Sequence, residues 1–145
     1  MAENTTENMA MNYERVEFKS EGATLRGRLY RPAKATTDAP AIVMAHGFSV
    51  LAAWLDDFAT DFAQAGFAVL VFDHRNFGES DGTPRYGFDN LLQIRGYRDA
   101  ISFLEKQPGI DQQKIAVWGE SATSLVAQFI GVFDERVRAV IAHTP

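Results

Sequence analysis

Ser121 stands between two stretches of opposite character. Before it, Lys114–Trp118 is a short β-branched, apolar run that stops at Gly119; after it, Leu125, Val126, Phe129 and Ile130 recur at helical spacing. A serine on a sharp turn between a buried strand and a helix exposes its hydroxyl as a nucleophile toward an acyl carbonyl. The helix N-terminus behind it can stabilise developing negative charge. A plainer reading stands beside this one: serine is a preferred N-cap, and Ser121 could simply close the start of a helix over 122–133. Gly119 weighs toward the turn, because a tight elbow needs a residue without Cβ two places before the serine.

His46-Gly47-Phe48 is the second candidate. It breaks a continuously apolar run, Ala41–Ala45, and reads either as a strand-terminating turn or as an oxyanion loop. In the second case the N–H of Phe48, with that of Ala122, would face a carbonyl oxygen as it becomes negative, each donor worth about 3 kcal/mol in a transition state. Asp73-His74-Arg75-Asn76-Phe77-Gly78-Glu79-Ser80-Asp81-Gly82 crowds charge and histidine together. Its glycines and short polar side chains point to a loop built on local backbone bonds rather than to catalysis. A metal site is not expected there, since no second ligand lies at ligand spacing on a shared element.

These segments need elements to hold them. Tyr13–Ser20 and Thr24–Tyr30 alternate apolar and polar around Glu21-Gly22, as an antiparallel hairpin does. Residues 31–40 read as a loop. The apolar run Ala41–Ala45 suits a strand buried on both faces. Leu51, Trp54, Leu55, Phe58, Phe62 and Ala65 predict one helix ended by Gly66. Phe67–Phe72 reads as a second buried strand, and residues 74–87 as a long loop. A helix over Phe88–Gln107, a strand over 114–118, a helix over 121–133 and a strand over 137–142 follow. The expected class is α/β: a mostly parallel sheet with helices on both faces and an N-terminal antiparallel hairpin. Ligands in such sheets bind beyond the carboxyl ends of the strands, where His46–Phe48, Asp73–Gly82, Gly119–Ser124 and His143–Pro145 fall.

Three segments, "AIVMAHGF", "VLVFDHRNFGESDG" and "IAVWGESATS", make the chain resemble the N-terminal half of the α/β-hydrolase superfamily from about Val16 to Pro145. "GYRDAISFLEKQPGID" and "RVRAVIAHTP" are similar to the flanking helix and next strand of dienelactone-hydrolase and Xaa-Pro-peptidase-like members. The resemblance implies a truncated α/β-hydrolase fold. It also implies Ser121 as nucleophile, Phe48 and Ala122 as oxyanion donors, and ester, thioester or peptide-like acyl substrates. A serine rather than an aspartate at the elbow points away from haloalkane or epoxide chemistry. The chain departs from the pattern at Thr123 and Ser124, where a glycine is usual; β-branched Thr123 is expected to suit close backbone packing poorly.

A serine needs a base to take its proton. In the family the histidine and the acid follow later strands, beyond Pro145. Of the three histidines here, His143 ends the strand expected beside that of Ser121. Adjacent strands lie about 4.8 Å apart, so a Ser121–His143 dyad is one expectation, and a His capping a strand at the surface is the other. The functional expectation is therefore a serine hydrolase acting on small acyl esters. The alternatives are an inactive binding or assembly module, or one half of a composite enzyme.

Composition narrows the rest. With 46% apolar and 23% charged residues the chain suits a folded core in water. A net charge of −5 with scattered Lys and Arg argues against nucleic-acid binding. The absence of cysteine excludes a thiolate nucleophile or metal site and fits a cytoplasmic setting. No stretch is long and apolar enough to span a bilayer, so no membrane association is expected. No cofactor is needed for the chemistry. Residues 1–12 read as a disordered tail before an incomplete domain over 13–145. The strand over 137–142 would present an apolar edge, which predicts a homo-oligomer through that edge or a missing C-terminal half that covers it.

Overall fold

The computed structural model describes residues 13–34 and 37–145; the tail expected over 1–12 lies outside the described residues. β1 (Tyr13–Ser20) and β2 (Ala23–Tyr30) form the expected hairpin, paired antiparallel from Tyr13↔Tyr30 to Ser20↔Ala23. β2 pairs antiparallel with β4 (Ala68–Phe72), and from there the sheet is parallel: β4 beside β3 (Ala39–Ala45), β3 beside β5 (Ile110–Glu120), β5 beside β6 (Val137–His143). The order is β1-β2-β4-β3-β5-β6 in one six-stranded sheet among the described residues, the mostly parallel sheet with an antiparallel hairpin that the sequence implied. Among the described residues three α-helices cover it: α1 (Asp56–Gln64), α2 (Asn90–Glu105) and α3 (Ala122–Phe133).

The continuous apolar runs of β3 and β4 are explained by burial on both faces. Ala41, Val43 and Ala45 point with Leu70 and Phe72 into a core shared with Tyr97, Ile101 and Leu104 of α2 and Val126, Ala127 and Ile130 of α3. Ile42 and Met44 point the opposite way with Val69 and Val71, against Leu55 and Ala59 on the side of α1. A strand with an apolar contact on each face has no polar alternation to show.

The chain leaves β3 on one side to make β4 and crosses to the other side to make β5. The connections therefore diverge beyond the carboxyl ends of β3 and β5, which opens a crevice there. Residues 46–48 and 119–121 sit at that crevice.

Several elements differ from the sequence expectation, among them β3, which starts at Ala39 inside the stretch read as a loop. The helix predicted over 51–65 is a 3-10 turn at Ala52–Leu55 followed by α1. The Asp73 carboxylate accepts the Ala52 N–H at 2.9 Å, fixing the first turn from outside the segment. The strand predicted over 114–118 starts earlier, because Ile110 pairs with Ala39 before the register shifts. α2 opens at Asp89, whose carboxylate accepts from the N–H groups of Leu91 and Leu92.

Asp56, at the start of α1, anchors that helix to β2. Its carboxylate accepts from Arg28 Nη1 at 2.8 and 2.9 Å and from the Tyr30 hydroxyl at 2.6 Å, with both charged side chains largely buried. Burial, then the bond to Asp56, raises the pKa of Tyr30 well above the ordinary tyrosine range. Removing one member of a buried pair strands the other. Asp56→Ala is expected to lower the unfolding free energy by about 3 kcal/mol, and Tyr30→Phe by about 1 kcal/mol. Urea denaturation followed by circular dichroism measures both; equal effects would refute the ion-pair assignment.

Candidate active site

The register of the sheet builds the site. Ala45 pairs with Gly119, so the two chains leave β3 and β5 side by side. A Cβ on Gly119 would lie 2.4 Å from the Thr123 carbonyl oxygen. Only glycine lets the first turn of α3 fold back so closely on the strand. Gly47 is confined from the opposite side: a Cβ there would come within 3.0 Å of the Glu120 oxygen and 3.3 Å of Ser121 Cβ.

Between these two glycines Ser121 adopts φ 50°, ψ −121°. A non-glycine residue held at positive φ costs on the order of 1–3 kcal/mol and persists only where its surroundings over-determine it. Here they do. The Ser121 N–H donates to the His143 carbonyl at 2.9 Å, and the Ser121 carbonyl accepts from the Ser124 N–H at 2.9 Å and from the Ser124 hydroxyl. The side chain makes no capping bond to α3. The N-cap reading of Ser121 thus describes its place in the chain but not its hydroxyl, which makes no hydrogen bond among the described residues and belongs to an exposed residue.

Ala122 opens α3, so no carbonyl four residues back within the helix is available to its N–H. The N–H of Phe48 is likewise not taken up by a main-chain acceptor among the described residues. The Phe48 ring stands 59% exposed and meets Phe88 edge-on at 5.8 Å between centroids.

His143 reaches Ser121 through the main chain. Its imidazole is stacked on Trp118, 5.3 Å between centroids, and meets Phe58 at 5.4 Å. No hydrogen bond joins the His143 and Ser121 side chains among the described residues. Strand pairing predicted proximity of the two residues, and the geometry delivers it to their backbones.

The remaining histidines are buried behind the site. His46 and His74 are each 1% exposed, with rings 4.8 Å apart. His46 Nε2 accepts the His74 main-chain N–H at 3.1 Å, so its proton sits on Nδ1 and is shared with the Gly47 carbonyl at 2.9 Å. Burial lowers the pKa of His46; burial and the neighbouring His46 lower that of His74 further. Both rings are neutral near pH 7.

The 73–82 loop makes the local backbone bonds expected of it and is also tied to β2, which the sequence did not show. The Asp73 carboxylate also accepts from the Glu79 N–H at 3.1 Å, and Ser80 bridges the Asp73 carbonyl at 2.6 Å and the Arg26 N–H at 2.9 Å. Among the described residues, no group of three or more His, Asp or Glu is placed to hold a metal ion, and no helix is long and apolar enough to cross a membrane.

Comparison with known proteins places these features in a wider set. The family model Hydrolase_4, described as serine aminopeptidase, S33, matches residues 37–145. Thiohydrolase aneE of Aspergillus aculeatus is 43% identical over 143 residues, covering 97% of this chain and 44% of that protein. Polyketide transferase claH of Penicillium crustosum is 41% identical over 137 residues, covering 92% and 44%. Among solved structures, the α/β hydrolase GrgF from Penicillium sp. sh18 superposes with a TM-score of 0.84 at 35% identity, over 90% of this chain and 45% of that one. The chain spans less than half the length of the curated relatives it matches.

The buried histidines carry a pH dependence of stability. Unfolded, each takes a proton near pH 6.5; folded, each resists it. The unfolded state therefore binds more protons below that pH, so stability present above about pH 6.5 is lost as pH falls toward the lowered values. The urea midpoint should drop between pH 7 and pH 5, and His74→Gln should flatten that drop. An unchanged slope in the variant would remove His74 from the account. Gly119→Ala is expected to cost about 3 kcal/mol or more, because backbone must move to admit the methyl; a fully stable variant would contradict the elbow geometry.

Proposed function

The chain belongs to the Hydrolase_4 (serine aminopeptidase, S33) family of α/β hydrolases, and from that premise we propose that it handles acyl esters or thioesters through Ser121. In this reading the Ser121 hydroxyl attacks the acyl carbonyl and loses its proton to a base. The tetrahedral oxyanion faces the N–H groups of Phe48 and Ala122. Collapse expels the alcohol or thiol with a proton and leaves an acyl-serine ester. Water then completes a hydrolysis, or another nucleophile completes a transfer.

The observation that carries this proposal is the strained, uncapped Ser121 facing Gly47 across the crevice. The names of two relatives, a thiohydrolase and a polyketide transferase, support thioester-linked acyl groups. The exposed Phe48 and Phe88 rings suit an apolar acyl chain.

The base is the open position. His46 and His74 are committed to buried bonds and His143 lies on Trp118. The reading is therefore that this chain forms the nucleophile and oxyanion half of the site, and that the base and acid arrive across the free edge of β6. Among the described residues that edge pairs on one side only, with β5. On its outer face α3 exposes Leu125, Phe129, Val132 and Phe133 along one stripe, with Phe129 and Phe133 beside Ile94 and Arg98 of α2. The committed histidines equally favour a second reading, a binding or assembly module without turnover.

Chemical rescue separates them. A fluorophosphonate probe should label the chain slowly in plain buffer and at least tenfold faster with added imidazole. Peptide mapping should place the adduct on Ser121, and Ser121→Ala should abolish it. His143→Ala should retain the imidazole-dependent labelling. No adduct at any imidazole concentration would favour the non-catalytic module; loss of wild-type labelling on His143→Ala would restore the dyad. Light scattering tests whether the β6 edge joins two copies of the chain: a monomer at micromolar concentration excludes the homo-oligomer.

A further inference from the structure

Thr123 occupies the place after the serine where the elbow pattern calls for glycine, and it is fully buried. Its hydroxyl donates to the His46 carbonyl at 2.7 Å and lies 3.3 Å from His74 Nε2. A hydroxyl has one proton, here used on His46, so the contact with His74 requires Nε2–H to be the donor. His74 Nδ1 is then a bare lone pair. That agrees with its being one of the buried side-chain atoms without a hydrogen-bond partner. The assignment closes a chain of bonds. His74 Nε2–H points to Thr123, Thr123 O–H to the His46 carbonyl, the His74 main-chain N–H to His46 Nε2, and His46 Nδ1–H to the Gly47 carbonyl.

Three separate segments meet at this hydroxyl: the loop after β3, the loop after β4 and the first turn of α3. The bond falls on the peptide immediately before Gly47–Phe48. We propose that Thr123 is a positioning residue, which holds the His46–Phe48 loop against the elbow and so sets where the Phe48 N–H points relative to Ser121. The proposal rests on the reading of Phe48 as an oxyanion donor. Its structural half, the hydroxyl lock itself, stands apart from that reading. Glycine at 123 could supply close packing but no such tie. Here the closeness is provided by Gly119, against the Thr123 carbonyl, while the Thr123 side chain turns away to the histidines.

Two measurements decide it. In the wild-type chain, nitrogen-15 spectra of the imidazoles should show His74 as the Nε2–H tautomer and His46 as the Nδ1–H tautomer; His74 protonated on Nδ1 overturns the lock whatever the variants do. Thr123→Val keeps the shape and removes the hydroxyl, and Thr123→Ser keeps the hydroxyl. Amide exchange at His74, whose N–H is held on His46 Nε2, should rise at least tenfold in the valine variant and return in the serine variant, with exchange at Met44 and Val71 unchanged. Exchange that rises everywhere, or nowhere, contradicts a local positioning role. Imidazole-assisted labelling of Ser121 should fall at least tenfold in Thr123→Val and recover in Thr123→Ser. If wild-type Ser121 does not label at all, the acyl-transfer reading fails, while the tautomers and the exchange still decide the lock. If the valine variant does not fold, the wild-type tautomers and the serine variant remain decisive.

Discussion

The carbonyl oxygen of Thr123 lies 2.4 Å from where a β-carbon on residue 119 would sit. That single close approach brings α3 back over the end of β5 and leaves Ser121 nowhere to go except a positive φ. Most of what the site can do descends from it. The serine side chain is turned out of the helix it precedes and makes no capping bond to it. The strain is held by bonds on both sides of the residue, to the His143 carbonyl behind and to Ser124 ahead.

The surrounding sheet serves this arrangement. The parallel pairing of β3 with β5 brings Gly47 against Glu120 and Ser121, so two loops far apart in sequence share one rim. β6 contributes by its last carbonyl rather than by its last side chain. Asp73 ties the loop after β4 to the first turn before α1, and Asp56 ties α1 to β2, so the crevice is bounded by fixed elements. Behind it, two neutral histidines fill a space where a charged pair would be costly, and one threonine hydroxyl links them to the elbow.

The outline was legible in the sequence because it is written in local terms. Period-two alternation marked the hairpin, continuous apolar runs marked β3 and β4, and Gly119 before Ser121 marked the elbow. What escaped were contacts between distant segments. Nothing within 51–65 shows that the Asp73 carboxylate will hold the Ala52 N–H at the start of the 3-10 turn that precedes α1. Nothing near Asp56 shows that Arg28 and Tyr30 will meet it. Thr123 was weighed as bulk against the backbone, whereas its side chain points away into a polar pocket. The nearness of His143 to Ser121 followed from strand spacing. The direction of its ring followed from which face of the sheet it shares with Trp118 and Phe58.

The most direct test of the elbow is a high-resolution crystal structure of the chain, read at one residue. The account predicts Ser121 near φ +50°, its N–H on the His143 carbonyl and its Oγ accepting from no N–H of α3. Ser121 at negative φ, with Oγ bonded to the N–H of Thr123 or Ser124, would make it an ordinary helix cap and contradict the account.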